Sequence, residues 1–339
     1  MVDQPALLTL VREARPHIER TTPTTEEWLS RLEEHHEELH ELADRLLETD
    51  PQAGLEVAAA LWPFWWLRGH MQEGRDLLER AAPIDGPERE RVLKGLGTIA
   101  FRQGDVETAD RAFRDRFQLV ECDGTERDVV DALTDLSRIA LRRGDYEGVR
   151  RYAERAHGAA EGLGEREALR LPLHMRAAAA RMEGRLEEAR ALYLESRALN
   201  ERLGYDVMVA GEDHNLVHVA LRSGDREEAG RRFRSSSEWI LDNDNAYLRP
   251  YAFLDAGVLA LHDGDLERAG RLVACAQRIF EETGSIPDPD DAVELDEAAA
   301  KLREGLGGRF ESVWAEGRGL SPHDAEALAR SAAAEQVEQ

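Results

Sequence analysis

Leu221-Arg-Ser-Gly224-Asp225-Arg-Glu-Glu-Ala229 and Leu261-His-Asp-Gly264-Asp265-Leu-Glu-Arg-Ala269 are one phrase written twice, 40 residues apart. Phe101-Arg-Gln-Gly104-Asp105, Leu141-Arg-Arg-Gly144-Asp145 and Arg181-Met-Glu-Gly184-Arg185 extend it toward the N-terminus at the same interval, and Leu67-Arg-Gly69-His70 precedes the series by 35 residues. A glycine recurring after an apolar run and before Asp marks a helix end, because glycine adopts the left-handed backbone there at little cost. The Asp then caps the next helix. Ala109, Ala189, Ala229 and Ala269 follow their glycines by 5 residues, and Phe113, Tyr193, Phe233 and Val273 by 9. On the preceding helices Gly97, Ser137, Val217 and Ala256-Gly257 supply small or slim residues, and Ala100, Ala140, Ala220 and Ala260 stand 4 before the glycine. Small facing large lets two antiparallel helices approach closely and interlock.

Composition agrees with an all-helical reading. Ala, Leu, Glu and Arg dominate, aromatic residues are only 6%, and such straight-chain residues lose little rotamer freedom in a helix. With 44 Lys and Arg against 69 Asp and Glu, the net charge of −25 opposes direct binding of nucleic acid or an anionic membrane surface. No stretch has the apolar length of a membrane span, and the N-terminal residues lack the apolar core of a secretory signal, so a cytoplasmic location is expected. Cys122 and Cys275 have no partner spacing for a disulfide framework or a zinc site.

The repeat resembles the tetratricopeptide (TPR) consensus, stretched to 40 residues by longer helices. The fold expected is an all-α, right-handed superhelical solenoid of antiparallel helix pairs, since one hairpin cannot bury its apolar face alone. The plan is an N-terminal helical cap over 1–50, repeats over 51–284 with turns near 69, 104, 144, 184, 224 and 264, capping helices over 285–334 and a frayed tail at 335–339. One long polar helix is expected over 24–49, and Pro63 is expected to bend its helix or displace the first turn. Ser321-Pro322-His-Asp324 reads as a helix start.

Ala60-Leu-Trp-Pro-Phe-Trp-Trp-Leu-Arg-Gly-His-Met-Gln-Glu-Gly-Arg-Asp-Leu-Leu-Glu-Arg80 and Phe310-Glu-Ser-Val-Trp-Ala-Glu-Gly-Arg-Gly-Leu320 resemble the opening and closing signatures of the C-terminal TPR arrays in actinobacterial LuxR-type and AfsR-type signal-transduction ATPase regulators. The resemblance implies an array that senses an inducer or holds a partner in transcriptional or signalling regulation. The phosphate-binding loop and basic helix-turn-helix of those regulators are missing from this sequence, so direct activation of transcription is not carried over.

His36-Glu37-Glu38-Leu39-His40 has the H-E-x-x-H form of a zinc hydrolase, with Glu37 as the base. Its charged surroundings and missing third ligand favour a solvated helix face, so neither a metal, a cofactor nor an enzymatic activity is expected. TPR geometry points instead to the first helix of each hairpin, whose groove-facing positions include Arg91, Lys94, Arg138, Arg142, His174, Arg181, His214, His218, Arg222 and Tyr251. Asn215 and Asp255 take the neighbouring position that can hydrogen-bond an extended peptide. Basic residues outnumber acidic ones in this set, which suits an acidic peptide or protein segment as the ligand of a non-enzymatic sensor or adaptor. The rival reading is a scaffold that self-associates, as a homodimer, through Trp62, Trp65 and Trp66. Arg176 falls where a core leucine is expected, and Pro172 opens its helix.

Overall fold

The computed structural model describes residues 4–19, 24–243, 245–284 and 286–334; the expected frayed tail at 335–339 lies outside them. Among the described residues there are 18 α-helices and no strand. In chain order they are α1 (Gln4–Ile18), α2 (Thr25–Glu33), α3 (His36–Thr49), α4 (Pro51–Leu67), α5 (Met71–Ala81), α6 (Arg89–Arg102), α7 (Val106–Asp123), α8 (Glu126–Arg142), α9 (Tyr146–Leu163), α10 (Arg170–Met182), α11 (Leu186–Leu203), α12 (Asp206–Arg222), α13 (Arg226–Asp242), α14 (Arg249–His262), α15 (Leu266–Thr283), α16 (Pro289–Leu306), α17 (Phe310–Arg318) and α18 (Pro322–Ala334). No helix is long and apolar enough to cross a membrane among the described residues. The chain forms two compact units, Met1–Ala132 and Leu133–Gln339.

One turn chemistry joins the helices of each hairpin. Gly104, Gly144, Gly184, Gly224 and Gly264 all have φ between 69° and 84°. The next residue's N–H reaches back to an alanine in the last turn of the previous helix, as in Asp105 to the Ala100 carbonyl and Asp225 to the Ala220 carbonyl, each 2.9 Å. The same Asp turns its side chain forward: Asp105 accepts from Thr108 N–H at 3.0 Å, Asp145 from Gly148, Asp225 from Glu228 and Asp265 from Arg268. The α10–α11 hairpin differs, because Arg185 takes the capping place and provides no side-chain cap.

Small-on-large packing then closes the pairs. A Cβ added at Gly97 of α6 would meet the Phe113 ring of α7 at 2.4 Å, and one at Gly257 of α14 would meet Val273 of α15 at 2.7 Å. Bulk there would separate the helices.

One local expectation changes. The helix expected over 24–49 is broken at Glu34-His35 into α2 and α3. The break lets α2 bury Leu29 and Leu32 while α3 turns Leu39, Leu42 and Leu46 inward on a new axis. Helix α4 runs through Pro63 without interruption, with that proline buried. Trp65 is fully buried, and Trp62 and Trp66 stack at 6.4 Å and pack against the same core. The Trp-Pro-Phe-Trp-Trp run is therefore core; Trp62 and Trp66 remain only partly covered. At the C-terminal end, Ser321 Oγ accepts from Asp324 N–H at 3.1 Å and starts α18.

Candidate functional site

Helix α16 begins at Pro289, whose missing N–H costs nothing in a first turn, and carries Asp290 and Asp291 there, where the helix dipole favours negative charge. Glu294 lies one turn on from both Asp290 (i+4) and Asp291 (i+3), so the three carboxylates fall within one stripe of the helix, and all are buried. They face α10, α12 and α14, the first helices of three successive hairpins.

Arg181 of α10 is the centre of this contact, its side chain 1% exposed. Its Nη1 donates to Asp290 at 3.0 Å, to Asp291 at 3.3 Å and to Asn215 Oδ1 of α12 at 2.8 Å, while Nη2 donates to Glu294 at 3.1 Å. Arg222, at the end of α12, donates through Nε to Glu294 at 2.8 Å and through Nη2 to Glu297 at 3.2 Å. His214 and His218, one turn apart on α12, complete the arrangement. Asp255 of α14 lies 2.8 Å from His214 Nδ1 and 2.8 Å from His218 Nε2. Their other ring nitrogens face α16: His214 Nε2 is 3.1 Å from Asp291 and His218 Nδ1 is 3.7 Å from Glu294.

Arg181 and Arg222 with two imidazoles thus meet the four carboxylates of Asp255, Asp290, Asp291 and Glu294, and the charges cancel only when both histidines are protonated. Burial opposes the charge on His214 and His218, but Asp255 and Asp291 around the first, and Glu294 and Asp255 around the second, overcome it and hold both pKa values above the ordinary imidazole range. Burial likewise opposes ionisation of Asp255, Asp291 and Glu294, yet the facing cations keep all three below the usual carboxylate range. Asp290 is the exception: burial, with Asp291 beside it, lifts it to about 6. His174 of α10 pairs with buried Glu212 at 3.1 Å; burial opposes its charge, and Glu212 outweighs that to raise it to about 9.

The ligand-type atoms of His214, His218 and Asp255 lie within 4.8 Å of one another. Their contacts have hydrogen-bond lengths, and Arg181 already compensates the surrounding carboxylates, so an ion-pair network describes the cluster better than a metal cage.

Of the residues singled out in the sequence, Arg181, His214, Asn215, His218, Arg222 and Asp255 converge on this one contact. Arg142 of α8 and Tyr251 of α14 meet the segment just before α16: Arg142 donates to the Pro287 carbonyl at 2.8 Å, and Asp288 N–H donates to the Tyr251 hydroxyl at 3.4 Å. His174 stands at the edge through Glu212. Arg138 lies 4.0 Å from Asp135 of its own helix. In the Met1–Ala132 unit, Arg91 pairs with Glu88 at 3.1 Å and Lys94 approaches Asp131 at 3.8 Å. Arg176 is half-buried, not a core residue.

The H-E-x-x-H residues do not form the motif's site. His36 stacks on His70 at 3.8 Å and lies 2.7 Å from Glu73, while His40 is 4.0 Å from Glu73 and Glu37 is exposed. The three ligand-type residues brought together are Glu33, His36 and His70.

Sequence reasoning missed the acidic half of the contact, Asp290, Asp291 and Glu294, and also Glu212 and Asp213. Asp213 is fully buried, accepting from Arg197 at 2.8 Å, Arg232 at 2.9 Å and Ser235 at 2.8 Å. The available signal was charge complementarity: Pro289-Asp-Asp-Ala-Val-Glu294 opens a helix with carboxylates on one face, in a chain whose inward basic residues lacked a partner.

No protein-family model matches the chain, and no curated protein matches it. Solved structures do. A Rap protein complexed with Competence and Sporulation Factor is similar with a TM-score of 0.63 at 14% identity, covering 99% of this chain and 93% of that one. The Rap conjugation gene regulator of plasmid pLS20, complexed with the Phr* peptide, gives 0.56 at 11% identity, over 91% of this chain and 98% of the other. A signal-transduction ATPase (STAND) protein with a TPR sensor from Pyrococcus horikoshii gives 0.52 at 14% identity, over 98% of this chain and 51% of that protein. At these identities the likeness is one of fold: the chain is an all-α, TPR-like helical-repeat protein.

Proposed function

We propose that the chain is a regulatory peptide- or protein-binding module, a sensor or adaptor that holds an acidic segment against α10, α12 and α14 and acts through a second protein. The observation that carries this reading is the seat of three carboxylates on Arg181, His214, His218 and Arg222, all presented by the first helices of their hairpins. Electrostatic complementarity of this kind selects a partner by sign and spacing of charge. Two of the similar structures were solved with a peptide or factor bound, and a third is described as a TPR sensor, which supports a sensing role. The resemblance of the end signatures to arrays of LuxR-type and AfsR-type regulators supports the same role in bacterial signalling.

The test is binding of a fluorescent helical peptide carrying Asp-Asp-x-x-Glu to the full chain, against the same peptide with Asn-Asn-x-x-Gln. The acidic peptide is expected to bind at least about tenfold tighter, with the preference shrinking as salt rises. Equal binding of the two peptides would overturn the proposal.

A further inference from the structure

Resting on that reading, we infer that α16 is a built-in occupant of the recognition face, and that the external ligand is an acidic helical segment which presents carboxylates in the spacing of Asp290, Asp291 and Glu294 and takes its place. Three observations lead there. The first is how α16 is held. Its first two turns are attached by buried ion pairs of Asp290, Asp291 and Glu294, while the apolar residues it buries begin only at Leu295 and continue through Ala298, Leu302 and Leu306. Buried ion pairs recover little net free energy once desolvation is counted, so they fix which segment docks more than how firmly it stays.

The second observation is the space beside it. A cleft of about 510 Å³ opens beside α16, between it, the end of α15 and Arg142 of α8, lined by Phe280, Ile286, Ala292, Leu295 and Ala299 among others. That side of α16 is therefore not closely packed, whereas α14 and α15 interlock through Gly257 and Val273.

The third is where the chain can bend. The helix ends at Gly307, φ 54° and ψ −124°, a backbone conformation that L side chains rarely adopt. A pivot there frees the Asp290 end while Leu302 and Leu306 stay near the core. The partner that fits is set by what α16 supplies: a helix start with two adjacent carboxylates and a third one turn on, to meet Arg181, His214, His218 and Arg222. An external segment so built competes directly, and its apparent affinity is reduced by the fraction of molecules with α16 docked.

The experiment compares the full chain with D290N/D291N/E294Q, using as probe a labelled synthetic peptide of residues 286–306. The variant is expected to bind the probe at least about tenfold tighter than wild type, because its own helix no longer competes. Because the triple variant can misfold, hydrogen exchange on the wild-type chain supplies a second reading. Amides of the first turns of α16 should exchange at least about 100-fold faster than those of Leu254–Leu259 in α14, and faster still with probe added. Equal affinity of both proteins for the probe, or α16 protection equal to that of α14, would overturn the inference. If both proteins prefer the acidic probe equally, α16 is a fixed element and the binding reading stands. If neither distinguishes the acidic probe from its Asn/Gln form, the binding reading itself fails.

Discussion

Helices α4 and α12 are each surrounded by their neighbours, and they are covered by opposite means. Helix α4 is buried through Leu55, Val57, Ala58 to Leu61, Phe64 and Trp65, all apolar. Helix α12, of the same 17-residue length, buries Glu212, Asp213, His214, Asn215 and His218 beside Leu216, Val217 and Val219. Apolar burial is non-directional and has no competing partner within reach. Burial through charge is directional, demands a particular set of opposing groups, and changes with protonation. The repeat thus seals one first helix for good and leaves another dependent on the identity of what lies against it.

The sharpest way to break this contrast is to remove one anchor from each. Trp65→Ala should cost about 3–5 kcal/mol in urea unfolding, through lost transfer energy and the cavity left behind. Arg181→Ala should cost a similar amount, about 3–5 kcal/mol, by leaving buried Asp290 without its cation and taking one from Asp291 and Glu294, which keep His214 and Arg222. The two should part on rescue: adding Asp290→Asn and Asp291→Asn restores a large share of the Arg181→Ala loss and nothing of the Trp65→Ala loss. Rescue of both, or of neither, would erase the distinction.

A smaller effect follows from titration. His214 and His218 are held above their ordinary pKa and His174 is raised to about 9, so their contribution is complete below the unfolded value near 6.5 and is lost as pH rises through the raised values. His214 faces Asp255 and Tyr251 of α14 and Asp291 of α16; His218 faces Asp255 of α14, Glu294 of α16 and Arg181 of α10. Asp290, raised from 3.8 to about 6, favours the docked state only while protonated, so that share is already gone above about 6. Asp255, Asp291 and Glu294, held low, act in the other direction and withdraw support as pH falls below the carboxylate range. Exchange protection of α16, corrected for intrinsic rates, should therefore fall as pH climbs from the ordinary imidazole range through the raised values of His214 and His218, with α4 protection flat over the same range. Parallel pH profiles for the two helices would remove the titrating groups from the account.

The smallest effect concerns the turn that follows α12. Asp225→Ala, which deletes the cap on Glu228 N–H, should cost about 1 kcal/mol by thermal melting and leave the pH dependence of α16 untouched.

The hairpins were legible because four of them repeat the same local solution: Ala four before Gly, Gly at positive φ, Asp turning to cap. Local backbone chemistry leaves residue types at fixed spacing. The basic half of the site was legible for the same reason, as inward positions counted from the glycines. Its acidic half was not, since Asp290, Asp291 and Glu294 are 109 to 113 residues from Arg181 and look, in sequence, like any solvated acidic helix start. Buried charge has no periodic signature, which also hid Glu212 and Asp213. The break at Glu34-His35 was hidden because the leucine spacing runs through it in phase.

Asp213 sits on α12 beside the histidines, yet its partners are Arg197 of α11 and Arg232 and Ser235 of α13, none of which touches α16. The receptor side is therefore braced from behind by bonds that departure of α16 does not break. That brace holds α12 in place, so an incoming segment has chiefly side chains to order there, above all Arg181 and Arg222, whose carboxylate partners belong to α16. The association rate for any competitor should then level off at high concentration, at a ceiling set by how often the resident helix lets go.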